Sequence, residues 1–575
     1  DDDDDEDDVE MEGDDGDDDD EEDEEDKEEE KEQEMKETKE EVTKETNDSS
    51  NILLTAKRLK SYEEGAFSSH SLKGLKRIIS AYRSACHLSD SAQNNVDADG
   101  RLIEKPVGKS YHIDSSAVFD RLMVLALQNC HAEFHYHLFG KGSGQKVEEE
   151  EDVEVDENKP LNPKHIAKAK HWNEIKKILL SFFRSTLHLL SEVKEPNLLK
   201  FVLQSLSKYT PYLTPLPTIA KTFLKTCTSL WSSSSDTSEK YQSVRLQAFL
   251  RIRQLAITQP FPFVETTLKS SYLAYANRAK FGTASSLTTL LPTLTFMGNC
   301  IVELYSLDYA SSYQHAFVYI RQLALHLRTA LQKKTKESIR LVYCWQYVHC
   351  LKLWTAVLSS SCTGGGGGGS SGGKDDEAEL MRSLIFPLTE IILGVIRLLP
   401  TTRYLPLRLH CVRLLQQLAA TAELYIPTTS ILLDVFDLRE LYLNSKKVKG
   451  RGVGVSGVRL PLILKLPGDD PLRTSEETEA CLSEVFLLLN RELDLYRFSA
   501  GFPEFTFRIC KRLRDFVKAT KNARWRAYAK GCIELCERYS EQIMEGRTNL
   551  NEAPKDIKRL EVLKPPTIPS MRERY

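Results

Sequence analysis

From residue 69 to residue 545, the apolar side chains of this 575-residue chain return again and again with a helical period. That recurrence constrains the fold more than any motif, because a 3.6-residue pattern cannot lie on one face of a sheet. In YQHAFVYIRQLALHLRTAL, residues 313–331, the spacing places Phe317, Ile320, Leu323, Ala324, Leu327 and Leu331 on one stripe. Over 384–399, Pro387 falls in what would be the first turn, and Pro400 stops the helix. The same reading predicts helices over 69–87, 115–138, 171–193, 197–207, 241–257, 338–358, 405–424, 430–443, 476–498, 504–520 and 522–545. Strand signals are scarce. The clear period-2 segment is VRLPLILKL, where Val458, Leu460, Leu462, Leu464 and Leu466 alternate and Pro461 leaves only a sheet edge or an extended arm. Helices in succession without a strict repeat period predict an all-α, irregular HEAT- or armadillo-like helical-repeat solenoid. Such arrays bind more often than they catalyse.

Charge is segregated along the chain. Residues 1–48 hold 32 Asp/Glu against five Lys and so carry −27 of a total of −8, which leaves +19 on residues 49–575. The first segment cannot collapse and is expected to be a disordered acidic tail. The basic remainder points to a polyanionic partner, since Lys and Arg contacts to phosphate release condensed counterions. The expected divisions are an acidic tail over 1–50, helical repeats over 51–358 with an acidic loop at 140–160, and a Gly/Ser-rich flexible loop at 359–377. C-terminal helical repeats with a basic surface follow over 378–550, and an extended basic tail over 551–575. The chain begins at Asp1 inside the acidic run, which reads as a fragment of a longer protein. The twelve Cys form no CxxC pair and read as reduced, buried thiols of an intracellular protein. The longest uncharged stretch, 281–302, is broken by Thr, Ser, Asn, Gly and Pro292 and makes a poor membrane span, so a soluble protein is expected.

The strongest binding signal lies in FTFRICKRLRDFVKATK. Phe505, Ile509, Leu513, Phe516 and Val517 fall on one helix face; Arg508, Lys511, Arg512, Arg514, Lys518 and Lys521 cover the other. With Arg524, Arg526 and Lys530, the stretch 508–530 holds nine cations against one acid, Asp515, and predicts contact with nucleic acid or an acidic partner. Nearby Trp525 and Tyr528 suit unpaired RNA bases. The loop 444–457 adds Lys446, Lys447, Lys449 and Arg451 as candidate phosphate contacts. Its Gly452, Gly454 and Gly457 match GxGxxG without the strand before and helix after that a dinucleotide site needs, so they read as a flexible loop. Arg403, Arg408 and Arg413 form either a second basic patch or a row of arginines along a core helix. In CHAEFHYH, His131 and His135 share a face beside Cys130 and His137, but HExxH is absent and a packed helix is expected. Cys532 and Cys536 read as part of a buried stripe. No nucleophile–base pair is evident, and neither a catalytic, a metal nor a cofactor site is expected.

Three segments between Phe281 and Leu358 carry a resemblance: FM-N--VEL with Phe296, Met297, Asn299, Val302, Glu303 and Leu304; YIRQLA--LR from Tyr319 through Arg321 and Gln322 to Arg328; and VY-WQ--HCL-LW with Trp345, Gln346 and Trp354. With LIFPLTEIILGVIRLLPTTRYLPLRLHCVRLL and FPEFTFRICKRLRDFVK, they resemble the nucleolar complex protein 2 family over roughly 55–550. Cys344 stands where members commonly have Asn. The resemblance implies a nucleolar and nucleoplasmic, non-enzymatic assembly factor for the large ribosomal subunit. It would bind pre-ribosomal RNA and precursor proteins and pair with scaffolds of the nucleolar complex protein 1 and 3 types, in rRNA processing and intranuclear transport. It also admits histones as partners, hence an alternative reading as a chromatin or transcription regulator acting through the acidic tail. Phe296, Met297, Asn299, Tyr319, Arg321, Gln322, Trp345, Gln346 and Trp354 would then pack the repeats or line the groove for the partner scaffold.

Overall fold

The computed structural model describes residues 51–88, 110–139, 169, 171–233, 239–280, 287–364, 379–442, 459–466, 472 and 475–548. The expectations for the acidic tail, the loop 140–160, residues 365–377 of the Gly/Ser-rich loop, the loop 444–457 with Lys446, Lys447, Lys449 and Arg451, and the tail 551–575 lie outside those residues. The chain divides into two compact units, residues 1–126 and 127–575.

In the first unit, strand β1 (Asn51–Leu54) pairs in parallel with β2 (Ser110–Ile113), Ile52 opposite Tyr111. Between them in sequence come α1 (Ala56–Glu63) and α2 (Leu72–Cys86); α3 (Ser116–Val124) follows β2. Helix α2 buries Leu75, Ile78, Ile79, Tyr82 and Ala85, the i, i+3, i+4 row expected of it. Tyr111 N donates to Ser84 Oγ at 3.2 Å, and Arg121 meets Glu63 at 2.6 Å. A Cβ at Gly74 would lie 2.8 Å from the Ala66 backbone nitrogen, so glycine permits this close approach. The two strands were not expected, because NILL and SYHI are four residues each and too short to display a period.

The second unit contains α4 (Cys130–Phe139), α5 (Trp172–Glu192), α6 (Pro196–Ser205), α7 (Pro217–Ser232), α8 (Glu239–Thr258), α9 (Phe263–Lys280), α10 (Leu287–Tyr305) and α11 (Tyr309–Lys333). It continues with α12 (Lys336–Val342), α13 (Trp345–Gly364), α14 (Ile385–Leu398), α15 (Leu405–Ala422), α16 (Thr429–Leu433), α17 (Ser475–Tyr496), α18 (Phe502–Ala519) and α19 (Ala523–Thr548). No strand occurs among its described residues, so the all-α expectation holds here. Packing runs mainly between helices near in sequence: α8 on α6 and α7, α9 on α10, α13 on α15, α15 on α14 and α17, α18 on α19. Among the described residues, no helix is long and apolar enough to cross a membrane.

Helices α7, α9 and α10 escaped the periodicity reading for identifiable reasons. The buried face of α9 includes Thr267 and Ser271, and the Thr267 hydroxyl donates to the Phe263 carbonyl at 3.0 Å, so a polar residue sits in the core without an unmet bond. Thr228 does the same on α7, donating to Leu224 O at 2.8 Å. Helix α10 carries Pro292 inside it and almost no charge to contrast with its apolar face.

Several expectations need correction, among them the helix over 430–443, of which only Thr429–Leu433 is α-helical before two 3₁₀ turns, Asp434–Asp437 and Arg439–Tyr442. The buried stripe of α11 is Ala316, Tyr319, Ile320, Leu323, Leu327 and Ala330, while Phe317 and Leu331 are 47% and 43% exposed. The helix expected over 338–358 is broken at Tyr343, whose hydroxyl donates to Val395 O at 2.9 Å and accepts from Leu399 N at 3.0 Å. Of the two alternatives for VRLPLILKL, residues 459–466 take the arm and not the sheet edge: Leu460–Leu462 is a 3₁₀ turn, and the arm after it is pinned to the start of α15 and the turn before it, with Leu407 N donating to Leu464 O at 3.2 Å and Leu466 N to Arg403 O at 2.8 Å. Residues 359–364 of the expected Gly/Ser-rich loop belong instead to α13, which runs to Gly364 and buries Ser359 and Ser361.

Helix α11 has clear boundaries. The Asp308 carboxylate accepts from Ala310 N at 3.0 Å and Ser311 N at 3.4 Å, and the helix ends on Lys334 in a left-handed conformation, φ 50°.

Candidate nucleic-acid interface

Helices α18 and α19 form an antiparallel hairpin. Thr506 and Ser540 share a hydrogen bond at 3.1 Å, Phe502 and Tyr539 rings lie 6.1 Å apart, and Arg547 grips both oxygens of Glu504 at 2.8 and 2.7 Å. The seam buries Phe502, Thr506, Ile509, Cys510, Leu513 and Phe516 of α18 against Trp525, Ala529, Cys532, Ile533, Cys536 and Tyr539 of α19. Sequence spacing placed the apolar face correctly but centred it one residue off, for Phe505 and Val517 are half-buried and Thr506 and Cys510 take the middle. Trp525 stacks on Phe486 of α17 at 5.5 Å, so it is a core residue.

All nine cations of this stretch are exposed: Arg508, Lys511, Arg512, Arg514, Lys518, Lys521, Arg524, Arg526 and Lys530. Four are engaged within the protein. Arg512 meets Asp437 at 2.8 Å, Arg514 pairs with Glu537 and Arg524 with Glu479, and Arg526 donates to Thr520 O at 2.6 Å. The other five, Arg508, Lys511, Lys518, Lys521 and Lys530, make no ion pair or hydrogen bond among the described residues. The carboxylates responsible come from outside the stretch, which is why composition alone showed a face of one sign. Towards its C-terminus α19 turns acidic, with Glu534, Glu537, Glu541 and Glu545, and this bounds the basic surface. Phe507, 69% exposed beside Arg508, is an aromatic that the pattern reading passed over.

Of the two alternatives for Arg403, Arg408 and Arg413, the structure favours arginines along a core helix over a basic patch. Arg408 is buried in α15, where burial lowers its pKa and Asp434 and Tyr343 partly restore it, while Arg413 pairs with Glu484.

The motif residues divide into two groups. Tyr319 and Trp354 belong to a buried aromatic cluster, with Tyr272 4.0 Å from Tyr319 and 5.2 Å from Trp354, and Tyr305 5.4 Å from Trp354. Met297 is buried, Gln346 is buried with its Nε2 donating to Ala276 O at 3.1 Å, and Phe296 and Trp345 are half-buried. Trp345 stacks on His349 at 5.4 Å, and burial, then Lys352 and His410, lower the His349 pKa to about 4. Asn299, Arg321 and Gln322 are exposed.

The CHAEFHYH segment is α4, with Cys130, Glu133, Phe134 and His137 buried and Phe134 packed 6.2 Å from Tyr209. Among the described residues no group of His, Cys, Asp or Glu side chains is placed to hold a metal ion. All twelve cysteines are free thiols, ten of them buried, and burial pushes the Cys411 thiol up to about 12.

A profile of the Noc2p family matches residues 262–567, which include the aromatic cluster and the basic hairpin. The chain belongs to the Noc2p family. This Noc2p-family chain is 31% identical over 504 residues to the Arabidopsis thaliana "Nucleolar complex-associated protein 2", covering 88% of this chain and 59% of that protein. It is 30% identical over 402 residues to the Drosophila melanogaster "Nucleolar complex protein 2", covering 70% and 48%. The Arabidopsis "Protein REBELOTE" is 25% identical over 482 residues, covering 84% and 72%. The chain thus spans between about half and three fifths of the length of the first two relatives.

Proposed function

We propose that this Noc2p-family chain is a nucleolar and nuclear, non-enzymatic scaffold with a HEAT- or armadillo-like helical body, acting in large-subunit ribosome assembly. It binds pre-ribosomal RNA particles through the α18–α19 hairpin and joins a second helical-repeat protein of the nucleolar complex protein 1 or 3 type. The names of these relatives support the compartment and membership of a complex. The observation that carries the RNA reading is the set of five exposed, unengaged cations on one hairpin, beside exposed Phe507. Cations already neutralised by carboxylates have little left to offer a phosphate; these five do.

The test is ultraviolet cross-linking in nuclear extract together with a salt titration of RNA binding. Lys511→Glu with Lys518→Glu should weaken RNA association at least tenfold and flatten the salt slope by about one per lost phosphate contact. Unchanged binding and slope would sink the RNA reading. The −27 charge of residues 1–48 supports a second reading, capture of basic histone segments. Deleting residues 1–48 should then abolish histone binding while sparing particle association.

A further inference from the structure

One face of helix α11 is exposed along most of its length, from Gln314 to Gln332. Phe317 is 47% exposed, Val318 49%, Leu325 48% and Leu331 43%, four large apolar side chains on one 25-residue helix. On a 3.6-residue helix they do not scatter. Val318 and Leu325 form one edge at i, i+7; Phe317 and Leu331 form the other at i, i+14; Gln314, Arg321, Arg328 and Gln332 run between them. Seven-residue spacing on an exposed face is the geometry that receives another helix lying nearly along the first. The opposite face is already used, since Tyr319 and Leu327 are buried. Next to Leu327, a Cβ on Gly394 of α14 would come within 2.7 Å of Leu327 Cδ2, so α14 lies close against α11 there.

Charge identifies the occupant. Helix α11 contains no Asp or Glu in its 25 residues, and neither Arg321 nor Arg328 has an ion-pair partner among the described residues. Two arginines one heptad apart, between two apolar edges, match a helix with Leu or Ile at heptad spacing and Glu or Asp alongside. Nucleic acid fits less well, because Val318, Leu325 and Leu331 gain nothing from a phosphate backbone. We propose that the exposed face of α11 docks an acidic amphipathic helix of another protein. This rests on the reading of the chain as a member of a complex, and it names the surface and the chemistry of the partner.

The test uses the full chain in nuclear extract with a benzophenone amino acid at position 325, followed by mass spectrometry of the adduct. The expected adduct is a peptide of a different protein, net acidic, with apolar residues at heptad spacing. Arg321→Glu with Arg328→Glu should cut its yield at least tenfold, and Val318→Ser alone should cut it severalfold, with unchanged far-ultraviolet circular dichroism in both. Adducts to RNA, to residues 1–48 of the same chain or to a second copy would overturn the proposal, as would no adduct or one indifferent to the arginines. Cross-linking of RNA to α18 is read in the same extract, so its loss with the 325 adduct intact bears on the RNA reading alone.

Discussion

The aromatic cluster around Trp354 and the basic hairpin α18–α19 lie in one unit and are built on opposite principles. In the cluster, Tyr272, Tyr305, Tyr319 and Trp354 come from α9, α10, α11 and α13, and little of them meets water. Its role is to hold four helices together, and motif residues such as Met297 and Gln346 serve the same end. In the hairpin an apolar seam is buried and the outward faces are mostly charged. One region spends its distinctive residues on packing, the other keeps them in solvent. A motif therefore marks packing in the first case and exposed charge in the second.

The largest expected effect that separates the two is in the cluster. Trp354→Ala should destabilise the unit by about 3–5 kcal/mol in chemical denaturation, because a fully buried indole leaves a cavity that its neighbours cannot fill. A loss below about 1 kcal/mol would show that the cluster is not the core it resembles. His349 gives a second break. Its imidazole titrates near 6.5 unfolded and near 4 folded, so its contribution is complete above pH 6.5 and is lost as pH falls from 6.5 to 4. The expected loss is up to about 3 kcal/mol, and His349→Gln should flatten the dependence; a variant with the same slope would assign it elsewhere.

In the hairpin the expectation reverses. Lys521→Ala and Lys530→Ala should each change stability by less than about 0.5 kcal/mol, while each lowers the salt slope of RNA binding by about one. A stability loss as large as the binding loss would erase the contrast between the regions. The smallest effect sits at the hairpin's open end, where the Arg547 hydrogen bonds hold the Glu504 carboxyl down to about 2. That contribution is present above the ordinary carboxylate range and is lost as pH falls towards 2. Glu504 is 67% exposed, so solvent screening leaves it below about 1 kcal/mol, read as the difference between wild type and Glu504→Gln at pH 5 and pH 2.5.

Much of the helical order was legible because amphipathic period survives in a single sequence: α2, α5, α11, α15 and α18 stand where spacing placed them, within a few residues. What was not legible has physical causes. Thr267 sits in the core because its hydroxyl bonds to the Phe263 carbonyl in the preceding turn, and with buried Ser271 it hides α9 from any apolar count. The stripe of α11 was centred wrongly because Phe317 and Leu331 are apolar yet face solvent, a choice that sequence cannot distinguish from burial. The nine-cation run was visible as composition. That Arg512, Arg514 and Arg524 were already matched by Asp437, Glu537 and Glu479 was not, since two of those carboxylates lie 45 and 75 residues away.

By itself, the sequence determined that this chain would be helical, that its charge would divide into an acidic start and a basic remainder, and which family it belongs to. Those properties follow from local period, composition and ordered motif strings, each of which survives without a third dimension. Only the tertiary structure decided which arginines are exposed without partners, which aromatics are core, and that α11 keeps four apolar side chains in water. Burial and ion pairing are relations between distant segments, and they exist only once the chain has brought those segments together.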